Sequence, residues 1–141
     1  MTGLLASFAY LSAVRFSSDV FVVDVRTPLE VSAGFIESEW GANVPLSVIW
    51  SQFQLPEDEF ESTYGVRKPA LDDEIIVTCR SGGRSTVAQK ILRELGYTNV
   101  LNFKTEDGKN GGWNYWVSET AKAKAHSDWE ANPEVATISG N

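Results

Sequence analysis

A short apolar strand that leads directly into a glycine-rich loop and then a helix is the feature that most limits how this chain folds. The segment Glu74–Thr78 is rich in β-branched residues and predicts a buried strand. Residues 79–84 follow it, and an apolar stripe that begins at Ser85 or Thr86 and stops at Gly96 predicts a helix. The stripe consists of Val87, Ala88, Ile91, Leu92 and Leu95. Because the connecting loop is so short, the strand end and the helix start must lie close together.

The remaining pattern repeats this alternation of strands and helices. Further strands are predicted at Asp19–Val25, Gly41–Leu46 and Asn99–Phe103, and helices at Ser7–Val14, from Pro28 to Gly34, and from Gly111 onward. Such alternation predicts an α/β domain with a mainly parallel sheet. Ligands of such sheets bind at the carboxyl ends of the strands, which is where Cys79 lies.

The loop that carries Cys79 has the composition of an anion-binding turn. Gly82 and Gly83 permit the positive φ angles that a tight turn needs. Backbone N–H groups that point inward just before a helix N-terminus favour an anion. Together with Arg80 and Arg84, they are expected to favour the thiolate form of Cys79. A lone cysteine is usually a small buried apolar residue, but that role needs no flanking arginines and glycines.

The chain contains one cysteine and one histidine, which excludes several kinds of site. An internal disulfide, a Cys/His zinc site and a Cys-x-x-Cys redox pair all need more of these residues, so we predict no metal and no cofactor. A cysteine–histidine nucleophile needs its base within hydrogen-bond reach. The histidine, His126, falls in a polar segment from Ala125 to Asn141 that is predicted to be a loosely ordered tail.

Several separated motifs resemble the rhodanese-homology domain over roughly residues 5–118, leaving 119–141 as a helix end and polar tail. The resemblance implies an α/β, rhodanese-like fold whose mainly parallel central sheet is flanked by helices on both faces. The matching motifs are Val22–Glu30, Gly34-Phe35-Ile36, Ala42–Leu46, Cys79–Ser85, Leu95-Gly96-Tyr97 and Gly111-Gly112-Trp113, and the segment Phe60–Pro69 further resembles single-domain thiosulfate sulfurtransferases that pass sulfur to glutathione.

The resemblance implies a two-step sulfur transfer. The Cys79 thiolate would take the outer sulfur of thiosulfate as a persulfide, and a small thiol such as glutathione, or cyanide, would then remove it. The substrate-binding loop would be Arg80, Ser81, Gly82, Gly83, Arg84 and Ser85. Since the chain has no second cysteine, an external acceptor must complete the cycle.

Two alternatives stay open. The first is a rhodanese-fold module that carries sulfur or binds a partner and has little turnover of its own. The other is a phosphatase-like or arsenate-reductase-like enzyme, which the loop length disfavours because related phosphatases have Cys-x5-Arg, whereas Cys79 and Arg84 form Cys-x4-Arg.

Charged residues near the loop are predicted to support it. Asp24 and Arg26 lie at the end of the first predicted strand, and either Asp24 or Glu30 is a candidate partner for Arg84. Arg67 and Lys68 could attract glutathione carboxylates, although such pairs usually are solvated surface charge.

Two segments depart from the pattern of the family. Phe35 replaces the histidine common in the Gly-His-Ile motif. The segment Thr105–Asn110 is longer than usual, and its Asp107-Gly108 pair predicts a turn near the loop.

Charge and hydropathy limit the kinds of partner that the chain can have. The net charge of −7 argues against nucleic acid, and no apolar run reaches the roughly 18 residues of a membrane helix. We expect a monomer that acts on small molecules and is cytoplasmic or mitochondrial; the absence of a possible disulfide gives no support to a secreted fold.

Overall fold

The computed structural model describes residues 4–130, with the side chain of Glu130 left aside. Its centre is a sheet of five parallel strands in the order β1-β5-β4-β2-β3. The strands are β1 (Leu4–Ala6), β2 (Val20–Asp24), β3 (Gly41–Asn43), β4 (Glu74–Thr78) and β5 (Val100–Phe103). The predicted α/β architecture with a mainly parallel sheet is confirmed.

Within residues 4–130, six helices connect and cover the strands. They are α1 (Phe8–Val14), α2 (Pro28–Ser32), α3 (Ile49–Gln52), α4 (Glu57–Tyr64), α5 (Gly83–Glu94) and α6 (Gly112–Glu130), with a 3-10 turn at Leu46–Val48. Ser7 starts α1 by accepting a hydrogen bond from the Tyr10 amide at 3.0 Å.

Both faces of the sheet are buried, which explains its continuous apolar strands. Alternate residues of β2 point to opposite faces, so Phe21 and Val23 join one core while Val20 and Val22 join the other. The first core packs residues of α3, α4 and α5, and the second packs residues of α1 and α6. The carboxyl ends of β2 and β4 are thereby held side by side, with Asp24 in register with Thr78.

The structure differs from the sequence predictions in several features of the fold. The edge strand β1 was not predicted, because three residues carry no periodic pattern and their strand conformation comes from pairing with β5. Val87 is 50 % exposed rather than part of the buried stripe; the polar residues Ser85 and Gln89 are buried on that face of α5 with Ala88 and Leu92.

The last helix extends past Ala125, where a loose tail was predicted, and reaches Glu130. Residues 121–129 are exposed, so this part is helical through the propensity of its alanines and lysines rather than through burial. The rest of the predicted tail, 131–141, lies outside the described residues. Across residues 4–130 no helix combines the length and the apolarity needed to span a membrane.

Candidate active site

Cys79 lies directly after β4, where the chain turns into the loop before α5. The residue is 1 % exposed. Its Sγ accepts a hydrogen bond from the Gly82 amide at 3.0 Å. The thiol also donates to the Ser85 hydroxyl at 3.4 Å, and that hydroxyl donates to the Gly82 carbonyl at 3.1 Å. The loop therefore closes around the sulfur, with a backbone donor and a side-chain hydroxyl in contact with it.

Gly82 makes this turn possible. Its φ of +107° lies in a region that residues with a side chain rarely adopt. Gly83 does not need that freedom: it begins α5 with negative φ, so the prediction of positive φ at both glycines is wrong for Gly83. The helix accordingly begins two residues before the predicted Ser85, and the first turn of α5 belongs to the loop.

Arg84 is held by Glu30 across the loop. Its Nη1 and Nη2 donate to Glu30 Oε1 and Oε2 at 2.6 and 2.8 Å. Glu30 is itself placed by Thr27: the Thr27 hydroxyl accepts from the Glu30 amide, and the Glu30 carboxylate accepts from the Thr27 amide at 3.1 Å. Hydrogen bonds from Arg84 and then from Thr27 lower the pKa of Glu30 from 4.5 to about 2. The pKa of Arg84 is raised by its bond to Glu30 and further by the nearby charges of Cys79 and Asp24.

Asp24 pairs with Arg26, not with Arg84 as one prediction allowed. The Arg26 guanidinium donates to both Asp24 oxygens at 2.7 to 3.1 Å, and Arg26 is 2 % exposed. It also donates to the Gly34 carbonyl at 2.8 Å and lies over the Trp113 ring. The two residues are two positions apart at a strand end, so their side chains leave on the same side. Glu30 reaches Arg84 because α2 carries it over the loop.

The first turn of α6 anchors the loop that carries Cys79 through two backbone hydrogen bonds. The Trp113 amide donates to the Cys79 carbonyl at 2.7 Å, and the Asn114 amide donates to the Arg80 carbonyl at 3.0 Å. Gly112 leaves no room for a side chain, because a Cβ there would overlap the Cys79 carbonyl oxygen. The sequence analysis identified the Gly-Gly-Trp motif but did not predict these bonds, which join residues far apart in the chain.

Lys104 is a second residue that sequence reasoning missed. Its aliphatic stem packs over Gly82, and its Nζ donates to the Thr86 hydroxyl at 3.3 Å. That hydroxyl donates to the Gly82 carbonyl at 2.7 Å and accepts from Asn102. The one sequence feature that could have identified Lys104 is its position directly after β5. Residues at the carboxyl ends of neighbouring parallel strands lie close together, and β5 is next to β4.

The other predicted loop residues form the outer rim. Arg80, Ser81 and Gly83 are exposed, and the Arg80 carbonyl is bound by α6. Phe35, at the histidine position of the motif, is 52 % exposed. Among residues 4–130, no group of three or more His, Cys, Asp or Glu side chains is placed to hold a metal ion.

His126 lies on α6, where its ring stacks on Trp129 at 6.2 Å between centroids. Arg67 and Lys68, the residues considered for the glutathione carboxylates, both have partners within the protein. Lys68 donates to the Leu55 carbonyl at 2.9 Å, and Arg67 lies over the Trp40 ring at 3.7 Å.

Comparison with known proteins gives a consistent result. The profile of the rhodanese-like domain family matches residues 9–119. A Schizosaccharomyces pombe protein, named provisionally as a mitochondrial thiosulfate sulfurtransferase, is 41% identical over 103 residues. These residues are 73% of this chain and 66% of that protein, so the chain spans slightly less than two thirds of that relative's length.

A human sequence and a human solved structure match over nearly the whole lengths of their chains. The thiosulfate:glutathione sulfurtransferase is 30% identical over 80% of this chain and 92% of its own. A solved single-domain sulfurtransferase superposes with a TM-score of 0.71 at 29% identity, covering 83% of this chain and 97% of that one.

Proposed function

We infer the reaction from one premise: this chain belongs to the rhodanese-like family and is a sulfurtransferase. We propose that it takes sulfur from thiosulfate onto Cys79 and passes it from the resulting persulfide to a small thiol such as glutathione, or to cyanide. The observation that carries the proposal is the position of the single cysteine. Its Sγ accepts a hydrogen bond from the Gly82 amide inside the loop before α5. The chain is cytoplasmic or mitochondrial in this proposal, and the mitochondrial name of the S. pombe relative supports the second location.

In the first step the Cys79 thiolate attacks the outer sulfur of thiosulfate. The thiolate electron pair forms the new S–S bond, and the S–S bond of thiosulfate breaks with its pair leaving on sulfite. No proton is exchanged and no oxidant is needed. The Gly82 amide donates to the attacking Sγ. The Ser85 hydroxyl, which can rotate from the Gly82 carbonyl toward an ionised sulfur, supplies a second donor.

The positive field that receives the dianion comes from Arg84 and Arg80. Arg84 is fixed by Glu30, so its charge is held in place without movement during the reaction. Arg80 is exposed on the rim, where it can meet the sulfite end of the donor. A net charge of −7 over the whole chain does not oppose this, because Arg80 and Arg84 act at short range within the loop.

In the second step an acceptor thiolate attacks the outer sulfur of the persulfide, and the Cys79 thiolate leaves. Because Cys79 is 1 % exposed, the original Sγ is shielded from a bulky acceptor. The added sulfur extends about 2.0 Å further from Sγ, toward the loop opening. Burial therefore directs the acceptor to the transferable sulfur.

Steady-state kinetics test the two-step scheme. Sulfite release is measured while thiosulfate and glutathione are varied together, with Cys79→Ser as the inactive control. Double displacement predicts parallel double-reciprocal lines. Converging lines would overturn the persulfide scheme, and one sulfite per site with no further turnover would indicate a sulfur carrier instead.

A further inference from the structure

The long segment between β5 and α6 forms an ordered hairpin beside the catalytic loop. Lys104 and Gly111 form an antiparallel bridge. Inside it, the Thr105 amide donates to the Asn110 carbonyl at 2.8 Å. Asp107 Oδ1 accepts from the Thr105 hydroxyl at 2.6 Å and from the Lys109 amide at 3.0 Å. We refer to residues 104–111 as the rim hairpin.

The rim hairpin is tied to the loop that carries Cys79. Its first residue, Lys104, packs over Gly82, and its last leads into the α6 amides that bind the Cys79 and Arg80 carbonyls. Any ligand held by the hairpin is therefore held at a fixed position relative to the reacting sulfur.

A groove of about 190 Å³ lies between the rim hairpin, the loop and α6. Ser81 contributes the loop side, Lys109 and Asn110 the hairpin side, and Asn114 and Ser118 the helix side. Among the described residues that line it, Lys109 is the only charged one. Two carboxamides, three hydroxyls (including that of Tyr115, which also lines the groove) and one ammonium suit a ligand with amide groups and a negative charge. The Asp107 carboxylate does not line the groove. It accepts hydrogen bonds from the Thr105 hydroxyl and from the Lys109 backbone amide within the hairpin.

We propose that this groove binds the carboxylate-bearing, peptide-like body of the acceptor thiol, with Lys109 pairing its carboxylate. The inference rests on the proposed function, since it assigns the acceptor of that reaction. Thiosulfate is too small to need contacts beyond the loop, whereas an acceptor must place its sulfur at the opening and the rest of its body outside. Ser81 joins the groove to the loop, which provides that continuity. The Arg67 and Lys68 side chains are occupied elsewhere and do not compete for this role.

Acceptor selectivity tests the inference. We compare wild type, Lys109→Ala and Lys109→Glu, with Lys124→Ala on exposed α6 as the matched control. The acceptors are glutathione, which carries carboxylates, and 2-mercaptoethanol, which carries none. We expect Lys109→Ala to lower kcat/KM for glutathione by about two- to fivefold, the size of an exposed ion pair. Lys109→Glu should lower it further, and neither change should affect 2-mercaptoethanol.

The outcomes separate the inference from the proposed function. Persulfide formation from thiosulfate is measured first, by mass, for every variant. Suppose that the persulfide forms in every variant. If the Lys109 substitutions then change kcat/KM equally for glutathione and 2-mercaptoethanol, or change it for neither, the groove is not the acceptor site. If the wild type forms no persulfide, the proposed function fails, and this inference fails with it.

Discussion

Arg84 and Glu30 form a bidentate ion pair across the loop that carries Cys79, with N–O distances of 2.6 and 2.8 Å. The pair joins the first turn of α5 to α2. The pair is also anchored on the carboxylate side, where the Thr27 capping box orients Glu30. The Arg84 guanidinium is therefore held in one position, in the loop that carries Cys79, before any substrate arrives.

The first prediction is that Arg84→Lys preserves charge but loses function. A lysine ammonium is a point donor and cannot occupy both Glu30 oxygens in the fixed geometry of the guanidinium. We expect kcat/KM for thiosulfate, followed by sulfite release, to fall at least about tenfold through lost positioning. The control is Arg67→Lys, whose partner Asp73 lies at 3.5 Å on the surface; it should change activity less than about twofold. Wild-type kinetics in Arg84→Lys would contradict a positioning role.

The second prediction concerns stability in acid. The pKa of Glu30 is about 2 when folded and 4.5 ordinarily. Because its folded-state pKa is lowered, ionised Glu30 contributes to the free energy of unfolding in full above pH 4.5. This contribution is lost as pH falls from 4.5 toward 2, since the unfolded chain binds the proton first. Urea unfolding of wild type and Glu30→Gln at several pH values should show a free-energy difference that narrows across this window. A difference that stays constant would show that the ion pair does not act in this way.

The third prediction uses two adjacent glycines with different roles. Gly82→Ala forces a side chain onto a φ of +107° and against Lys104, so unfolding free energy should drop by about 1–3 kcal/mol. Sulfur transfer should also fall, because the Gly82 amide moves away from Sγ. Gly83→Ala meets open space in the first turn of α5 and should be neutral or stabilising by up to about 1 kcal/mol. Equal effects of the two substitutions on stability would contradict these assignments.

Local pattern was sufficient to predict the core of the site. The strand Glu74–Thr78 has the predicted bounds, and Cys79 lies at its end beside the start of a helix. Those features depend on neighbours in sequence: β-branched residues before the loop, glycine at the turn and an apolar periodicity after it. The same is true of the turn at Asp107-Gly108, where Gly108 has a φ of +73°.

The partners of these residues depend on tertiary structure and could not be chosen from sequence. Asp24 and Glu30 were both candidates for Arg84, and the position of α2 decides between them. The contacts of Lys104 with Gly82 and Thr86 require β5 to lie beside β4, and the α6 bonds to the loop carbonyls require the chain to return to the site after β5. No short motif encodes such contacts.

The central claim is that Cys79 carries the transferred sulfur, and the intact mass of the protein tests it most directly. The purified chain is incubated with thiosulfate without reducing agent and weighed beside Cys79→Ala. We predict a gain of one sulfur atom, about 32 Da, in the wild type only, and its removal when glutathione or cyanide is added. An unchanged wild-type mass, or the same gain in Cys79→Ala, would contradict the account.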